Sequence, residues 1–186
     1  AAAQLMRWGY PVNKTLDEQS IEQARRFVRD WIDRVQAIYC AVSLPPDFRY
    51  EGAEDPRTSS AVLRKIILPV LAARDLPFAM MIGSRLRVNP ELRDGGDMVG
   101  LADVASVARI CSDFPHNRFF FTMLARENQH ELAVAARKFG NLMVFGCWWF
   151  VNNPSLIDEI TRMRVELLGT SFIPQHSDAR VLDQLI

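Results

Sequence analysis

The sequence carries no excess of either charge: 22 Lys and Arg balance 22 Asp and Glu. A chain with no net field has nothing to draw in nucleic acid or an anionic membrane surface, and both classes of partner fall away. Long apolar runs are also missing; none approaches the roughly 18 residues that a membrane helix needs. The first residues, Ala1-Ala2-Ala3-Gln4-Leu5, lack the basic start and apolar block of a signal peptide, so a cytoplasmic protein is expected. Cysteine is scarce. Cys40, Cys111 and Cys147 lie far apart within apolar stretches, at no metal-ligand or disulfide spacing. They read as buried thiols of a reducing compartment, Cys147 having an unusual setting beside two tryptophans. Phosphate-cradling glycine loops are absent too: neither G-x-G-x-x-G nor G-x-x-x-x-G-K occurs.

What is present is an ordinary globular composition, 49% hydrophobic and 24% charged over 186 residues. That is enough for one sizeable core or a large piece of a bigger one. Thr15-Leu16-Asp17-Glu18 looks like a capping box with Thr15 as N-cap. Ile21, Ala24, Phe27, Trp31 and Val35 then form one helical face. Gln36 to Ser43 reads as a buried strand closed by Pro45-Pro46, and Asp47 to Arg57 as a loop. A second helix is expected from Ser59 to Arg74, facing inward through Leu63, Ile66, Ile67, Val70 and Leu71 and bent or interrupted at Pro69. Phe78 to Gly83 is the next strand and Arg85 to Gly100 a long loop. Leu101 to Ser112 reads as a helix, with Val104, Val107, Ala108 and Cys111 inward. Phe119 to Met123 is a strand without alternation, so it is buried on both sides. Asn128 to Phe139 reads as a helix ended by Gly140, and Leu142 to Cys147 as a strand running into Trp148-Trp149-Phe150. The last helix starts at Asn153-Pro154 and ends at Gly169. Thr170 to Ile173 is the last strand.

Strand and helix therefore alternate about five times, with short apolar strands, which means a parallel sheet flanked by helices. A doubly wound nucleotide-binding sheet lacks its glycine turn here. A barrel fits better, because polar groups follow nearly every strand, and in a barrel those strand ends share one face. A (β/α)₈ barrel has eight strands and typically about 250 residues. The expectation is an α/β fold in which 1–186 forms part of such a barrel, about five of eight strands, lacking the first strands and the last helix.

The densest chemistry is in Pro174-Gln175-His176-Ser177-Asp178-Ala179-Arg180, directly after the last strand. Asp178 suits a metal ligand or general base, and equally a helix N-cap. The Arg180 fork suits a substrate carboxylate, but from the residues alone a surface pair with Asp178 or Asp183 is the favoured reading. His176 suits a ligand or donor, but a single histidine without a partner at ligand spacing is more often structural. His116 and His130 read as solvated. Trp148 and Trp149, adjacent on an extended segment, should point to opposite faces, which suits one ring in the core and the other on a pocket, and equally two core aromatics. Arg85 and Arg87 suit an anionic substrate or a solvated loop. Arg126 and Glu127 suit an ion pair that fixes a loop.

Four stretches carry a resemblance: Met80-Met81-Ile82-Gly83, Arg126-Glu127-Asn128-Gln129-His130-Glu131-Leu132, Phe145-Gly146-Cys147-Trp148-Trp149-Phe150, and Gln175-His176-Ser177-Asp178-Ala179-Arg180-Val181-Leu182. Together they resemble the uronate isomerase (glucuronate isomerase) family of the amidohydrolase superfamily. The resemblance implies a (β/α)₈ enzyme that interconverts D-glucuronate with D-fructuronate, and D-galacturonate with D-tagaturonate, in uronic acid catabolism. It implies a divalent metal, usually zinc, held by a His-x-His pair after the first strand and by an aspartate after the eighth. Asp178 matches that aspartate as metal ligand and candidate base, and Arg180 matches the arginine following it. The His-x-His pair has no counterpart among His116, His130 and His176, in keeping with a fragment. In this reading Arg85 grips the sugar carboxylate, and Trp148 or Trp149 walls the pocket beside His176. The expected partners are a small sugar acid and further copies of the chain. The alternatives are a metal-dependent hydrolase of the same superfamily, or a fragment without catalysis of its own.

Overall fold

The computed structural model describes residues 2–13, 15–54 and 58–174. Numbering strands along the chain, they are β1 (Cys40–Leu44), β2 (Phe78–Ile82), β3 (Ser84–Arg85), β4 (Met98–Val99), β5 (Phe119–Met123), β6 (Leu142–Phe145) and β7 (Phe172–Ile173). Five of them form one sheet in the order β1-β2-β5-β6-β7, and every pairing is parallel. The antiparallel pair β3–β4 sits inside what reads in the sequence as one long loop. The helices are α1 (Ala2–Arg7), α2 (Glu18–Val35), α3 (Thr58–Val62), α4 (Leu68–Ala73), α5 (Val104–Asp113), α6 (Gln129–Ala136) and α7 (Pro154–Leu168).

The sheet order never reverses. A doubly wound sheet reverses at its switch point, whereas a barrel wall runs on in sequence order. The two sheet faces say the same. Met80, Ile82, Phe119, Phe121, Met123, Leu142 and Val144 share one core with Leu68 and Leu71 of α4, Val107 and Ile110 of α5, and Leu132 of α6. On the other face, Ala41, Ala79, Met81, Phe120, Phe145 and Ile173 line a hollow of about 390 Å³ together with Tyr39. Among the described residues, only those of the strands and of the lead-in to β1 wall that hollow. Register sets Ala41, Ala79, Phe120 and Met143 in one row across four strands. Level rows of inward side chains are how a barrel interior is built. The chain is a mixed α/β unit forming part of a barrel wall.

Several local readings change. The N-cap of α2 is Asp17, whose Oδ1 accepts from the Ser20 backbone N–H at 2.8 Å; Thr15 instead bonds to Asn13. A carboxylate at the positive end of a helix outcompetes a hydroxyl. The inward stripe of α2 runs through Ala24 and Ile32, leaving Trp31 40% and Val35 60% exposed. Trp31 packs instead in an aromatic cluster with Phe27 and Trp8. β1 begins only at Cys40, because Gln36 closes α2 in the left-handed conformation (φ 49°, ψ 51°).

Pro69 interrupts the regular α-helix, as expected, without ending the helical run. A single π-helical turn, Leu63–Ile67, precedes it, and the Leu68 N–H reaches back to the Leu63 carbonyl. Proline has no N–H to serve the Lys65 carbonyl, and Arg25 Nε of α2 donates to it at 2.8 Å. α6 stops at Ala136, short of Gly140, whereas Gly169 (φ 62°) closes α7 as expected. Among the described residues, no helix is long and apolar enough to cross a membrane.

Candidate functional site

Parallel strands bring all their C-terminal ends to one edge, and the chemistry of the chain gathers there. The mouth of β1 is Pro45-Pro46, followed by Asp47 and Arg49; that of β2 is Gly83, Ser84 and Arg85. Between them lies a cleft of about 760 Å³, which Arg49, Ser84, Arg85 and Leu101 help to line. Backbone geometry sets its shape. Gly83 (φ 127°) bonds its N–H to the Leu44 carbonyl at 3.1 Å and its own carbonyl to the Gly100 N–H at 2.8 Å. A methyl group on Gly100 would come within 2.5 Å of Pro46 and 2.9 Å of Arg85 Nε, so glycine lets the guanidine stem lie against the turn.

Arg85 is exposed, and among the described residues no ion pair holds it. Arg49 was not singled out in the sequence. Its Nη1 donates to the carbonyls of Pro46 at 3.0 Å and Phe48 at 2.9 Å, and its Nε lies 4.0 Å from Asp103. Asp103 caps α5 by accepting from the Ser106 N–H and hydroxyl. Burial alone would raise its pKa, but Ser106, Arg49 and Arg109 together hold it below the usual aspartate range.

The mouths of β5 and β6 are built differently, around the buried Arg164 of α7. Its Nη1 donates to the Gly146 carbonyl at 2.8 Å and lies 3.8 Å from Cys147 Sγ. Its Nη2 donates to Gln129 Oε1 at 2.8 Å. Gln129 in turn donates to the carbonyls of Met123 at 2.7 Å and Ala125 at 3.1 Å. Beside it, Asn128 accepts from the Ala102 N–H and donates to the Ala102 carbonyl, a pair of hydrogen bonds at 2.9 Å each. Burial pushes the Cys147 thiol up, with Arg164 pulling it partly back, and burial pushes Cys111 up to about 12. Cys111 and Cys147 are buried free thiols; Cys40 is free but only half-buried, on the outer strand β1.

The sequence-based site residues fall as follows. Arg85 lies in the cleft. Trp148 is buried and Trp149 half-exposed, but the two rings meet, with centroids 5.8 Å apart. They do not take opposite faces because β6 ends at Phe145 and the chain turns at Gly146 (φ 69°) and Trp149 (φ 51°). Trp149 stacks on Phe150 at 4.6 Å. Arg126 pairs with Glu159 of α7 at 2.8 Å, not with Glu127. The Arg87 N–H bonds to Asp97 across the β3–β4 hairpin. His116 and His130 are exposed. His176, Asp178 and Arg180 lie outside the described residues, so the expected metal ligand lies there too. Among the described residues, no three His, Cys, Asp or Glu side chains stand together to hold a metal.

No family model matches the chain, and no curated protein does. Solved structures do. The chain is 54% identical to a uronate isomerase from Bacillus halodurans C-125, with a TM-score of 0.94, over 98% of this chain and 43% of that one. A uronate isomerase from Thermotoga maritima matches at 12% identity and TM-score 0.74, over 89% of this chain and 43% of that one. A glucuronate isomerase from Caulobacter crescentus matches at 17% and 0.73, over 96% and 44%. The last two show the shared fold alone. The chain thus spans less than half the length of these proteins.

Proposed function

The chain belongs to the uronate isomerase family, and from that premise we propose that the full-length protein interconverts D-glucuronate with D-fructuronate, and D-galacturonate with D-tagaturonate. The observation that carries this reading is the 54% identity sustained over 98% of the chain. The cleft at the mouths of β1 and β2, with two arginines on its wall, is in keeping with a sugar acid as substrate.

Aldose–ketose isomerisation moves a proton between C2 and C1 through an enediol. It needs a base at C2, positive charge beside the developing oxyanion, and an anchor for the distant carboxylate. In this proposal Asp178 is the base and Arg180 the cation beside the enediolate oxygens. Arg85, exposed and free of an ion pair among the described residues, is the carboxylate anchor, and the half-exposed Trp149 is a wall. The divalent metal that the family resemblance implies, zinc in most members, would need Asp178 and donors beyond the described residues. No step is assigned to it.

The test is to incubate the full-length protein with D-glucuronate and follow ketose formation. Ketose should appear, and Asp178→Asn should abolish most turnover. Hydrolysis of an amide or lactone in place of ketose would replace the proposal with the hydrolase reading. Near-normal turnover in Asp178→Asn would reduce Asp178 to a helix cap.

A further inference from the structure

The sheet ends β5, β6 and β7 are held by one buried side chain. Arg164 is 1% exposed. It reaches Gly146 after β6 directly, at 2.8 Å. Through Gln129 it reaches the carbonyls of Met123 and Ala125 at the end of β5. Through Gly146, whose N–H donates to the Ile173 carbonyl at 2.8 Å, it reaches the end of β7. β7 leads into the segment that carries Asp178 and Arg180.

This is a costly way to fill an apolar stripe. The residues before it on the buried side of α7 are Ile157 and Ile160, and a leucine at 164 would continue the stripe with no charge to desolvate. Among the described residues, the partners of Arg164 Nη1 and Nη2 are neutral acceptors, a carbonyl, an amide oxygen and a thiol sulfur, and its buried Nε has none. What a guanidinium adds is a planar fork that holds two acceptors at a fixed spacing. We infer that Arg164 is a positioning residue that sets the spacing of the β5, β6 and β7 mouths, and with it the Gly146–Trp149 turn. Its consequence for substrate rests on the isomerase reading above; its consequence for the turn does not.

Fluorine NMR of the full-length protein labelled with fluorotryptophan separates the two. The Trp148 and Trp149 resonances are assigned by their loss in single Trp→Phe variants. Arg164→Met should shift and broaden both while leaving Trp8 and Trp31, far off on α2 and the turn before it, in place. Arg164→Lys should return part of the shift, since one ammonium holds only one acceptor well. KM for D-glucuronate should rise about tenfold, with kcat changing less. If Trp148 and Trp149 stay unmoved in a folded Arg164→Met protein, Arg164 merely packs and the inference fails. If Arg164→Met does not fold, Arg164→Lys decides by the same resonances, which must then move. Moved resonances with an unchanged KM would overturn the link to substrate. A protein that makes no ketose at all removes the isomerase reading and leaves the fluorine readout to decide on Arg164.

Discussion

Arg85 and Arg164 stand at the same edge of the same sheet and do opposite things. Arg85, at the mouth of β2, is exposed, lies along a glycine and has no ion pair among the described residues. Arg164, at the mouth of β6, is buried and spends Nη1 on the backbone and Nη2 on Gln129. An exposed, uncommitted guanidinium is available to an anion that arrives from solution. A buried one is committed, and its value is geometric. One half of the strand-end face is therefore open, with Arg49, Arg85 and Asp47 on its cleft, and the other half is closed and internally bonded. The chemistry of a barrel needs both: groups that meet the substrate, and a frame that does not move when they do.

The largest effect should come from breaking the closed half. Arg164→Met leaves the Gly146 carbonyl and Gln129 Oε1 buried without their donor, and should cost about 3 kcal/mol of stability. A urea midpoint lowered with unchanged slope is the measurement. A loss no larger than that of an exposed arginine would dissolve the comparison. Next comes Gln129→Leu, which deletes two donations to carbonyls and one acceptance. It should cost about 2 kcal/mol, less than Arg164→Met because the Ala125 carbonyl keeps the Asn128 N–H.

The fold was legible where periodicity and turn chemistry agreed. β5 falls on Phe119–Met123 as read, since three phenylalanines in a row fit only a strand covered on both sides. Strand ends were less legible. Gln36 in a left-handed cap and Gly146 at a turn moved the limits of β1 and β6, and backbone conformation at single residues has no pattern in sequence. The closed half of the site was missed, although one signal was there: Arg164 sits on the apolar stripe of α7, where a charge needs a reason. Gln129 gave no such signal, because a polar residue at a helix start is ordinary. Arg49 was hidden in an aperiodic loop that only folding brings beside Arg85.

The open half offers smaller effects. Asp103 is held below the usual aspartate range, so its native state is stabilised by the ionised form. The sign follows: the stabilisation is complete above the ordinary pKa of about 4 and is lost as pH falls through the lowered native value. Because the arginines that face it are exposed and solvent screens them, the amount is small, about 0.5 kcal/mol. Asp103→Asn keeps the cap on Ser106 and should leave stability at neutral pH nearly unchanged, while flattening the acid limb of urea midpoints below about pH 4.

The smallest stability change, and the sharpest test of the contrast, belongs to Arg85→Leu. An exposed arginine with no ion pair contributes little to folding, so the urea midpoint should hold to within about 0.5 kcal/mol. If Arg85 anchors a substrate carboxylate, the same variant should raise KM for D-glucuronate by about a hundredfold, the value of a lost charge-assisted pair. Arg85→Lys should recover only part of it, because an ammonium cannot reproduce the two parallel bonds. Arg164→Met and Arg85→Leu then form a crossed pair, the first moving stability most and the second moving binding most. Should Arg85→Leu lower stability as much as Arg164→Met does, both arginines would belong to the frame, and the carboxylate anchor would have to be sought elsewhere on the strand-end face.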